Sequence, residues 1–597
     1  LVRITAPSKK EAENLRLIKE VLRSRGYDTP LVADIHFTPN AAEIAARIVE
    51  KVRVNPGNYV DKKKFEQLEY TDAEYNEEIE RIRERFTPLV LICKEHGTAM
   101  RIGTNHGSLS DRIMSRYGDT AIGMVESAME FLRIARSEDY HNIILSMKSS
   151  NPQVMVQAYR LLISHMMSEF GECYPLHLGV TEAGDGEDGR IKSAVGIGTL
   201  LEDGIGDTIR VSLTEDPELE IPVCRQLVQR YRQTAATGKP PARIPEIISP
   251  LPYDPFNYQR RKTFEIGNIG GKQVPVVIAD FSKYEKITPA HLEPVGYRYD
   301  QATDKWFIGD AAADYIFLNH IPDFDFPGTL RAVLYHHLWI TVKNNSSFVP
   351  LLDVAQYQDE SVEKSGVMNM VMVDCFSEGI PMAETDNLLT KLGNDKTAVI
   401  CLSSTNKNSM QSVRRMFVEL EEKRVTNPAV LICDSNHASM EESLIHYAVE
   451  AGALLVDGFC DAVCFGHHVG NKAVPPQPAI MNSIAFGILQ ATRTRISKTE
   501  YISCPSCGRT LFDLQETTGK IRAVTHHLKG LKIAIMGCIV NGPGEMADAD
   551  FGYVGSGVGK ITLYKGKEVV KRNVPSEVAV DELISLLKEN DAWVDVV

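Results

Sequence analysis

The stretch LVADIHFTPNAAEIAARIVEKVRVN at residues 31–55 contains one complete strand-helix-strand unit of the predicted fold. It predicts a buried strand at 31–36, a helix that starts at Thr38-Pro39, and a second strand at 51–55. The same alternation predicts further strands at 1–5, 99–103, 142–148, 176–182 and 208–212. A repeated strand-helix unit implies a parallel sheet with helices outside. The number of units favours an eight-stranded (β/α)8 barrel of the TIM type.

Polar side chains lie at or just beyond the C-terminal ends of these strands. They are Asp34, His36, Arg53, Asn55, Arg101, Asn105, Lys148, Glu182, Arg210 and Ser212. In a barrel those ends converge on one mouth, which is where such enzymes keep their chemistry. Each residue alone reads equally well as an ordinary polar residue at the edge of the core. Together, and rich in Arg and Lys, they predict a polyanion site. Diphosphate is the simplest candidate, because guanidinium groups bind phosphate oxygens in a bidentate manner.

The bulk properties indicate a globular protein of more than one domain. The chain has 597 residues, of which 43% are hydrophobic and 24% charged. A net charge of -14 argues against nucleic-acid binding, and no apolar run approaches the roughly 20 residues of a membrane span. Eleven scattered cysteines suit a reducing compartment, and we expect a bacterial cytoplasmic location, with a plastid left open because the start of the chain is missing. Because the first residues already read as a strand, we expect the natural start of the chain, with the first barrel strand, to be missing.

Changes of composition predict three domains. Residues 1–236 form the substrate-binding barrel, and a Pro-rich linker then begins at 237. Residues 237–499 form an inserted, barrel-like α/β domain, interpreted as a spacer because no comparable basic residues lie at its strand ends. It contains Cys460, Cys464, His467, His468 and the pair His336-His337, whose spacing is unusual for zinc, so a structural role is favoured over ligation. Residues 500–597 form a compact α+β domain.

Three thiols and a carboxylate in the last domain form a candidate metal site. The sequence CPSC at residues 504–507 places two sulfurs on one turn, and Cys538 follows the apolar run LKIAIM at 531–536. A glycine-rich loop then leads to Glu545. A structural zinc ribbon is the alternative, since His526-His527 could complete such a site. Against it, only one further cysteine follows Cys507.

These residues resemble the 4-hydroxy-3-methylbut-2-en-1-yl diphosphate synthase family of the non-mevalonate isoprenoid pathway. The resemblance covers both ends of the chain in long, specific blocks. The blocks are VADIHF at 32–37, VRVNPGN at 52–58, RIGTN at 101–105, HLGVTEAG at 177–184, IRVS at 209–212, CPSCGR at 504–509 and GCIVNGPGE at 537–545. The insertion between them looks like the three-domain form of this family.

The resemblance implies an iron-sulfur oxidoreductase. Its [4Fe-4S] cluster would be bound by Cys504, Cys507, Cys538 and Glu545, with Glu545 as the exchangeable ligand. The reaction would be the two-electron reductive ring opening and dehydroxylation of 2-C-methyl-D-erythritol 2,4-cyclodiphosphate. Flavodoxin or ferredoxin would supply the electrons. No nucleic acid or membrane partner is expected, and the chain would act as a monomer or a homodimer.

The resemblance also assigns roles in the barrel. Arg53, Arg101, Lys148, Arg210 and Ser212 would hold the cyclic diphosphate, and Asn105, Asp34 and His36 would help to position it. Glu182 would donate a proton to the departing oxygen, and Asn541 would orient the substrate near the cluster. The cluster domain must close over the barrel mouth. Our hypothesis is that the inserted segment allows this closure within one chain.

Two other functions remain open from the sequence. One is a zinc-stabilised binding protein built on a barrel, without redox chemistry. The other is a phosphate-binding barrel aldolase or synthase in which the cluster is only structural. Colourless protein with stoichiometric zinc would indicate the first, and full turnover after replacement of Glu545 would indicate the second.

Overall fold

The structure is a computed structural model, and it describes residues 1–35, 38–61, 69–236, 242–247, 250–377, 382–437, 439–467, 477–506, 510–539, 542–546 and 548–595. At 232–236, 382–384, 467, 543 and 545 it describes the backbone alone. The chain divides into two compact units. Unit 1 contains residues 1–189, 204–221 and 499–597, and unit 2 contains residues 190–203 and 222–498.

The first part of unit 1 is a run of parallel strands in sequence order. Within the described ranges these strands are β1 (Val2–Thr5), β2 (Leu31–Ile35), β3 (Lys51–Val54), β4 (Ala99–Asn105), β5 (Ile143–Lys148), β6 (His177–Leu178) and β7 (Thr208–Ile209). β1 to β5 form one sheet and β6 pairs with β7. A bridge between Leu145 and Leu176 joins the two groups. The predicted parallel order is confirmed.

Helices follow these strands, as the alternation predicted. They are α1 (Lys9–Ser24), α2 (Pro39–Ala46), α3 (Pro56–Tyr59), α4 (Asp72–His96), α5 (Asp111–Tyr117), α6 (Ala121–Ser137), α7 (Pro152–Phe170), α8 (Gly186–Glu202) and α9 (Glu220–Ala236), with 3-10 turns at His106–Ser108 and Pro217–Leu219. Local signals set their ends. Ser8 accepts a hydrogen bond from the N–H of Lys10 at the start of α1, and Gly97 ends α4 in a left-handed conformation.

Unit 2 contains a closed barrel of eight parallel strands. They are β8 (Val276–Asp280), β11 (Tyr315–Leu318), β12 (Arg331–Tyr335), β13 (Phe348–Leu352), β14 (Asn369–Asp374), β15 (Ala398–Ser403), β16 (Ala429–Ser435) and β17 (Ala462–His467), and β17 pairs with β8 to close the ring. An antiparallel pair, β9 (Tyr297–Asp300) and β10 (Lys305–Ile308), stands apart. The barrel-like architecture predicted for the insertion is confirmed.

Helices of unit 2 follow its barrel strands. They are α10 (His336–Trp339), α11 (Val354–Gln358), α12 (Met382–Asn394), α13 (Ser409–Glu422), α14 (Met440–Val456) and α15 (Pro478–Ala491), with a 3-10 helix at Pro289–Val295. The barrel interior is apolar, with Val333, Met370 and Val430 among its buried residues. None of the helices that the structure describes, in either unit, is long and apolar enough to cross a membrane.

The last part of unit 1 is an α+β domain, as predicted. Its sheet runs β18 (Glu500–Ser503), β19 (Lys532–Met536), β20 (Phe551–Gly557), β21 (Lys560–Lys565), β22 (Glu568–Pro575). β19 pairs in parallel with both β18 and β20, whereas β21 pairs antiparallel with both β20 and β22. Its helices are α16 (Leu514–Thr525), α17 (Gly542–Glu545) and α18 (Ala579–Glu589). The core includes Ile533, Leu563 and Leu583. Cys504 and Cys538 follow the C-terminal ends of the neighbouring strands β18 and β19.

Candidate active site

Strand register brings the first group of predicted residues together. Arg53 on β3 lies opposite Asp34 on β2 and Arg101 on β4. Asn105 on β4 lies opposite Lys148 on β5. Residues opposite each other in a sheet project from the same face, so the alternation of each strand sends these polar side chains to one side. All five are buried.

Asp34 is the carboxylate that organises the arginines. Nη1 of Arg53 donates a hydrogen bond to Oδ1 of Asp34 at 3.0 Å. Nη1 of Arg3 lies 3.5 Å from the other carboxylate oxygen. The Nη2 of Arg53 donates to the carbonyl of Gly103 at 2.7 Å. Asp34 therefore fixes two guanidinium groups side by side, a geometry suited to an anion with several oxygens.

Lys148 and Arg210 are two further cations of the same site. A Cβ added at Gly179 would lie 2.7 Å from Nζ of Lys148, so the glycine leaves room for the ammonium group. Arg210 is held by Glu220, whose Oε1 lies 3.2 Å from Nη2 of the arginine. Arg210 is thus positioned by an ion pair, and Lys148 occupies space that a larger residue at position 179 would fill.

The electrostatics show an excess of positive charge. Burial and the nearby Arg210 lower the pKa of Lys148 well below its usual range, with Arg101, Arg3 and Arg53 adding to the effect. Burial and the neighbouring Arg3 and Arg53 likewise lower the pKa of Arg101. The pKa of Arg3 falls to about 10, through burial and Arg210. Such crowding disfavours the charged forms until an anion arrives.

Several buried polar atoms support the same conclusion. Nε of Arg101, Oγ of Ser212 and both amide atoms of Asn55 make no hydrogen bond to any residue in the described part of the chain. Buried polar groups in native proteins are normally paired, so these atoms are suited to receive ligand oxygens. Arg101 and Ser212 are buried and do not line the cavity described below, although Arg101 lies opposite the lining residue Arg53 on the adjacent strand and Ser212 is two residues after the lining residue Arg210.

Glu182 follows β6 in an unusual backbone conformation. Its φ of 47° is left-handed, which non-glycine residues adopt rarely. The side chain is 3% exposed, and its Oε1 accepts a hydrogen bond from the Thr181 hydroxyl at 2.6 Å. Glu182 lines the same cavity as Arg53 and Lys148. Backbone strain of this kind is concentrated at functional sites.

The C-terminal domain supplies the other wall of that cavity. The cavity lies within unit 1, and its lining consists of Arg3, Thr5, Asp34, Arg53, Asn105, Lys148, Thr181, Glu182 and Arg210 from the barrel, with Cys504, Pro505, Ser506, Met536, Gly537, Cys538 and Gly542 from the C-terminal domain. A second cavity shares Asn105, Thr181 and Glu182 with the first. The structure thus places the cationic residues and two of the predicted thiol ligands around one space.

The surroundings of the thiols fit a thiolate-bound group. The N–H of Gly537 donates a hydrogen bond to Sγ of Cys504 at 3.3 Å, the kind of contact that stabilises a thiolate. A Cβ at Gly537 would lie 2.7 Å from Oγ1 of Thr510, so only glycine allows this close approach. Among the residues described, no three His, Cys, Asp or Glu side chains are grouped as a metal site. Two of the four predicted ligands are not part of that search, because Cys507 is outside the described residues and Glu545 is described by its backbone alone.

Other predicted residues lie elsewhere or cannot be placed. His36 and Asn541 fall outside the described ranges. In unit 2, Cys460 and Cys464 are buried, and burial raises the pKa of both thiols well above the usual value. His336 bonds the carbonyl of Glu363, and His468 lies outside the described residues. His527 bonds the carbonyl of Val594 at 2.8 Å.

Three lining residues of the barrel were not predicted as site residues from the sequence. Arg3 and Thr5 lie on β1, and Thr181 precedes Glu182. The signal for Arg3 was present, since it is a charged residue between Val2 and Ile4 in the first strand. Its partner Asp34 sits on the adjacent strand, a pairing that only the sheet order reveals.

Comparisons with known proteins identify the family of the chain. The family models described as GcpE TIM-barrel domain and GcpE protein C-terminal domain match residues 1–225 and 500–589. A protein of Parabacteroides distasonis named 4-hydroxy-3-methylbut-2-en-1-yl diphosphate synthase (flavodoxin) is 50% identical over 595 residues, covering 100% of this chain and 91% of that protein. Proteins of the same name from Leptospira interrogans and Chlorobaculum tepidum are 45% and 43% identical, over 100% of this chain and 90% and 83% of their own lengths. The chain therefore belongs to the 4-hydroxy-3-methylbut-2-en-1-yl diphosphate synthase family.

Proposed function

We propose that the chain reduces 2-C-methyl-D-erythritol 2,4-cyclodiphosphate to (E)-4-hydroxy-3-methylbut-2-enyl diphosphate. The observation that carries the proposal is one cavity lined by Arg53, Lys148 and Arg210 on one side and by Cys504 and Cys538 on the other. A cationic wall suits a diphosphate, and adjacent thiols suit a redox centre. Neither wall alone would explain a reductive reaction on a phosphorylated substrate.

The binding roles follow from the contacts of each residue. Arg53 and Arg3, both held by Asp34, present a pair of guanidinium groups to one part of the diphosphate. Lys148 and Arg210 face the other part. The unpaired Oγ of Ser212 and Nε of Arg101 add donors once substrate oxygens approach. Asn105 and His36 complete the proposed set.

We further propose that Cys504, Cys507, Cys538 and Glu545 hold a [4Fe-4S] cluster. When bound, such a cluster supplies electrons and a Lewis-acidic iron. The Gly537 N–H holds the Sγ of Cys504, and Asn541 is proposed to orient the substrate beside the cysteines. The printed names of the relatives specify flavodoxin, so we propose flavodoxin rather than ferredoxin as the electron donor.

Glu182 is the proposed proton donor. The reaction takes up two electrons and releases one substrate oxygen as water, so a proton must reach that oxygen. Glu182 is buried in the cavity wall, where the Thr181 hydroxyl orients one carboxyl oxygen. Because Glu182 lines the same cavity as the cationic residues and the cysteines, its location supports this role.

Both walls of the cavity come from a single chain, which supports catalysis without a second copy. This observation agrees with our hypothesis that the C-terminal domain closes over the barrel of its own chain. We also propose that the inserted barrel allows this closure within one chain.

Anaerobic purification followed by turnover tests the function. We expect a brown protein with broad visible absorption, and reduction of the cyclic diphosphate when reduced flavodoxin is added. Replacement Glu545→Ala should abolish turnover, whereas the conservative Glu545→Asp should retain part of it. Colourless protein with stoichiometric zinc would overturn the proposal, and full turnover by Glu545→Ala would leave the cluster only a structural role.

A further inference from the structure

The loop that carries Glu182, residues 181–186, is held by the barrel at three points. The N–H of Thr181 donates to the carbonyl of Ser149 at 3.1 Å. The N–H of Thr214 donates to the carbonyl of Gly184 at 3.0 Å. The N–H of Gly186 donates to Oε1 of Glu215 at 2.7 Å. The barrel therefore anchors both ends of the loop and one residue near its middle.

The C-terminal domain holds the same loop from the other side. Ala183, next to Glu182, forms a parallel bridge with Ser503, next to Cys504. Asp185 forms an ion pair with Arg522, and the guanidinium of that arginine lies 5.1 Å from the ring centre of Tyr501. The bridge joins two chain segments. It thus brings together the segment of Glu182, the proposed acid, and the segment of Cys504, the first proposed cluster ligand.

Thr214 touches both sides of this contact. Its backbone holds Gly184, while its hydroxyl lies 3.1 Å from the carbonyl oxygen of Cys504 and 3.3 Å from that of Ser503. The side chain is 2% exposed, so the hydroxyl has no competing access to bulk water. A buried hydroxyl between two carbonyls fixes the distance between the barrel and the Cys504 loop.

The left-handed backbone conformation of Glu182 depends on the contacts that hold the loop. Such a conformation in a non-glycine residue persists only where the surrounding structure holds it. Two of the groups that hold the loop, Ser503 and Arg522, arrive with the C-terminal domain. The loop would lose both contacts whenever that domain moved away from the barrel.

We infer that Thr214 and the Asp185–Arg522 pair form a docking joint that places Glu182 and Cys504 in a single step. Docking of the C-terminal domain then sets the acid at the same time as it brings the cysteines to the barrel. The three residues are positioning residues, since they act through Glu182 and Cys504. The inference rests on the proposed role of Glu182 as proton donor.

Two substitutions at Thr214 test the joint in the full-length, cluster-loaded protein. Thr214→Val removes the hydroxyl at nearly constant volume, and Thr214→Ser retains it as the matched control. In Thr214→Val we expect amide exchange of residues 181–186 to be about tenfold faster than in Thr214→Ser. We expect kcat to fall about tenfold with KM within threefold, and the iron content and visible spectrum to stay unchanged.

A charge exchange tests the ion pair independently, in case Thr214→Val folds poorly. Asp185→Arg alone and Arg522→Asp alone should each speed exchange in the loop, and the double variant should restore at least half of the lost protection. Equal exchange and equal kcat in Thr214→Val and Thr214→Ser, or no recovery in the double variant, would overturn the joint. The exchange measurement needs no substrate. If the unaltered protein showed no reductive turnover, the proposed function would be refuted. The joint would still be tested by the amide exchange of residues 181–186.

Discussion

Lys148 shows at the scale of one residue how the site is prepared for an anion. Its pKa is lowered well below the usual range by burial, then by Arg210, Arg101, Arg3 and Arg53. A bound diphosphate brings negative charge to the same cavity and raises that pKa again. Between the two pKa values the complex carries a proton that the unliganded protein lacks. Binding in that window must therefore take up a proton.

We expect the affinity for the cyclic diphosphate to fall as the pH rises through this window. Titration calorimetry in buffers of different ionisation enthalpy should show net proton uptake, with binding strongest below the pKa of Lys148 in the unliganded protein. Lys148→Met should bind more weakly and lose the uptake, while the exposed Lys560→Met should match the unaltered protein. Binding that is independent of pH and of buffer would contradict the electrostatic account.

Arg3 is the residue whose importance the sequence did not reveal. It pairs with Asp34 and lines the cavity, and with a pKa of about 10 its guanidinium is charged at neutral pH. We expect Arg3→Ala to raise KM about 10- to 100-fold, since one charge-assisted contact to a phosphate is lost. Steady-state kinetics would measure the change. Arg25→Ala, at the exposed C-terminal cap of α1, is the matched control and should leave KM unaltered.

At the scale of elements, the position of α17 depends on contacts between backbones. A Cβ added at Gly544 would overlap the carbonyl oxygen of Gly107, in the turn after β4. A Cβ added at Gly57, in α3, would overlap the carbonyl oxygen of Ser108 in the same turn. Three segments therefore stack with no side chain between them. The backbone cannot move aside as a flexible side chain would, so these two glycines set how closely α17 approaches the barrel.

We expect Gly544→Ala to lower kcat more than 100-fold, because the helix that ends at Glu545 can no longer approach the turn. The iron content should change little, since the cysteines are untouched. Gly519→Ala is the matched control, because nothing lies within 4 Å of a Cβ at that exposed position in α16. It should keep full activity and gain roughly 0.5–1 kcal/mol of unfolding free energy. Normal turnover by Gly544→Ala would show that the contact is dispensable.

The sequence predicted the elements well because their signals are local. Alternation of apolar runs with helical spacing identified the strands of the first barrel and the barrel-like character of the insertion, and the polar residues at strand ends identified Arg53, Lys148 and Glu182. The remaining information depends on tertiary structure. That Asp34 would join Arg3 to Arg53 follows from strand order, and that Glu220 would hold Arg210 follows from the return of the chain after β7. Neither of these ion pairs produces a periodic pattern in the sequence from which it could be predicted.

At the scale of the whole molecule, the division into units differs from a simple cut at residue 237. Residues 190–203 and 222–236 belong to unit 2, together with the inserted barrel. Arg230 on α9 forms ion pairs with Glu202 and with Glu450 on α14. Arg414 on α13 lies 2.7 Å from Asp203. A Cβ added at Gly452 would lie 2.8 Å from Val195, so α8 and α14 pack closely.

Arg230→Met in the full-length protein tests whether unit 2 behaves as one cooperative body. The substitution leaves the buried carboxylates of Glu202 and Glu450 without their shared cation, which costs about 3–5 kcal/mol when one partner of a buried pair is removed. Hydrogen exchange should therefore accelerate together in residues 190–203, in α9 and in the strands of the closed barrel, while the C-terminal domain keeps its protection. Arg225→Met, exposed on the same helix, should leave every segment unchanged. If hydrogen exchange accelerated in α9 alone, the inserted barrel would be stable without the preceding helices. The structural domain boundary would then be at residue 237.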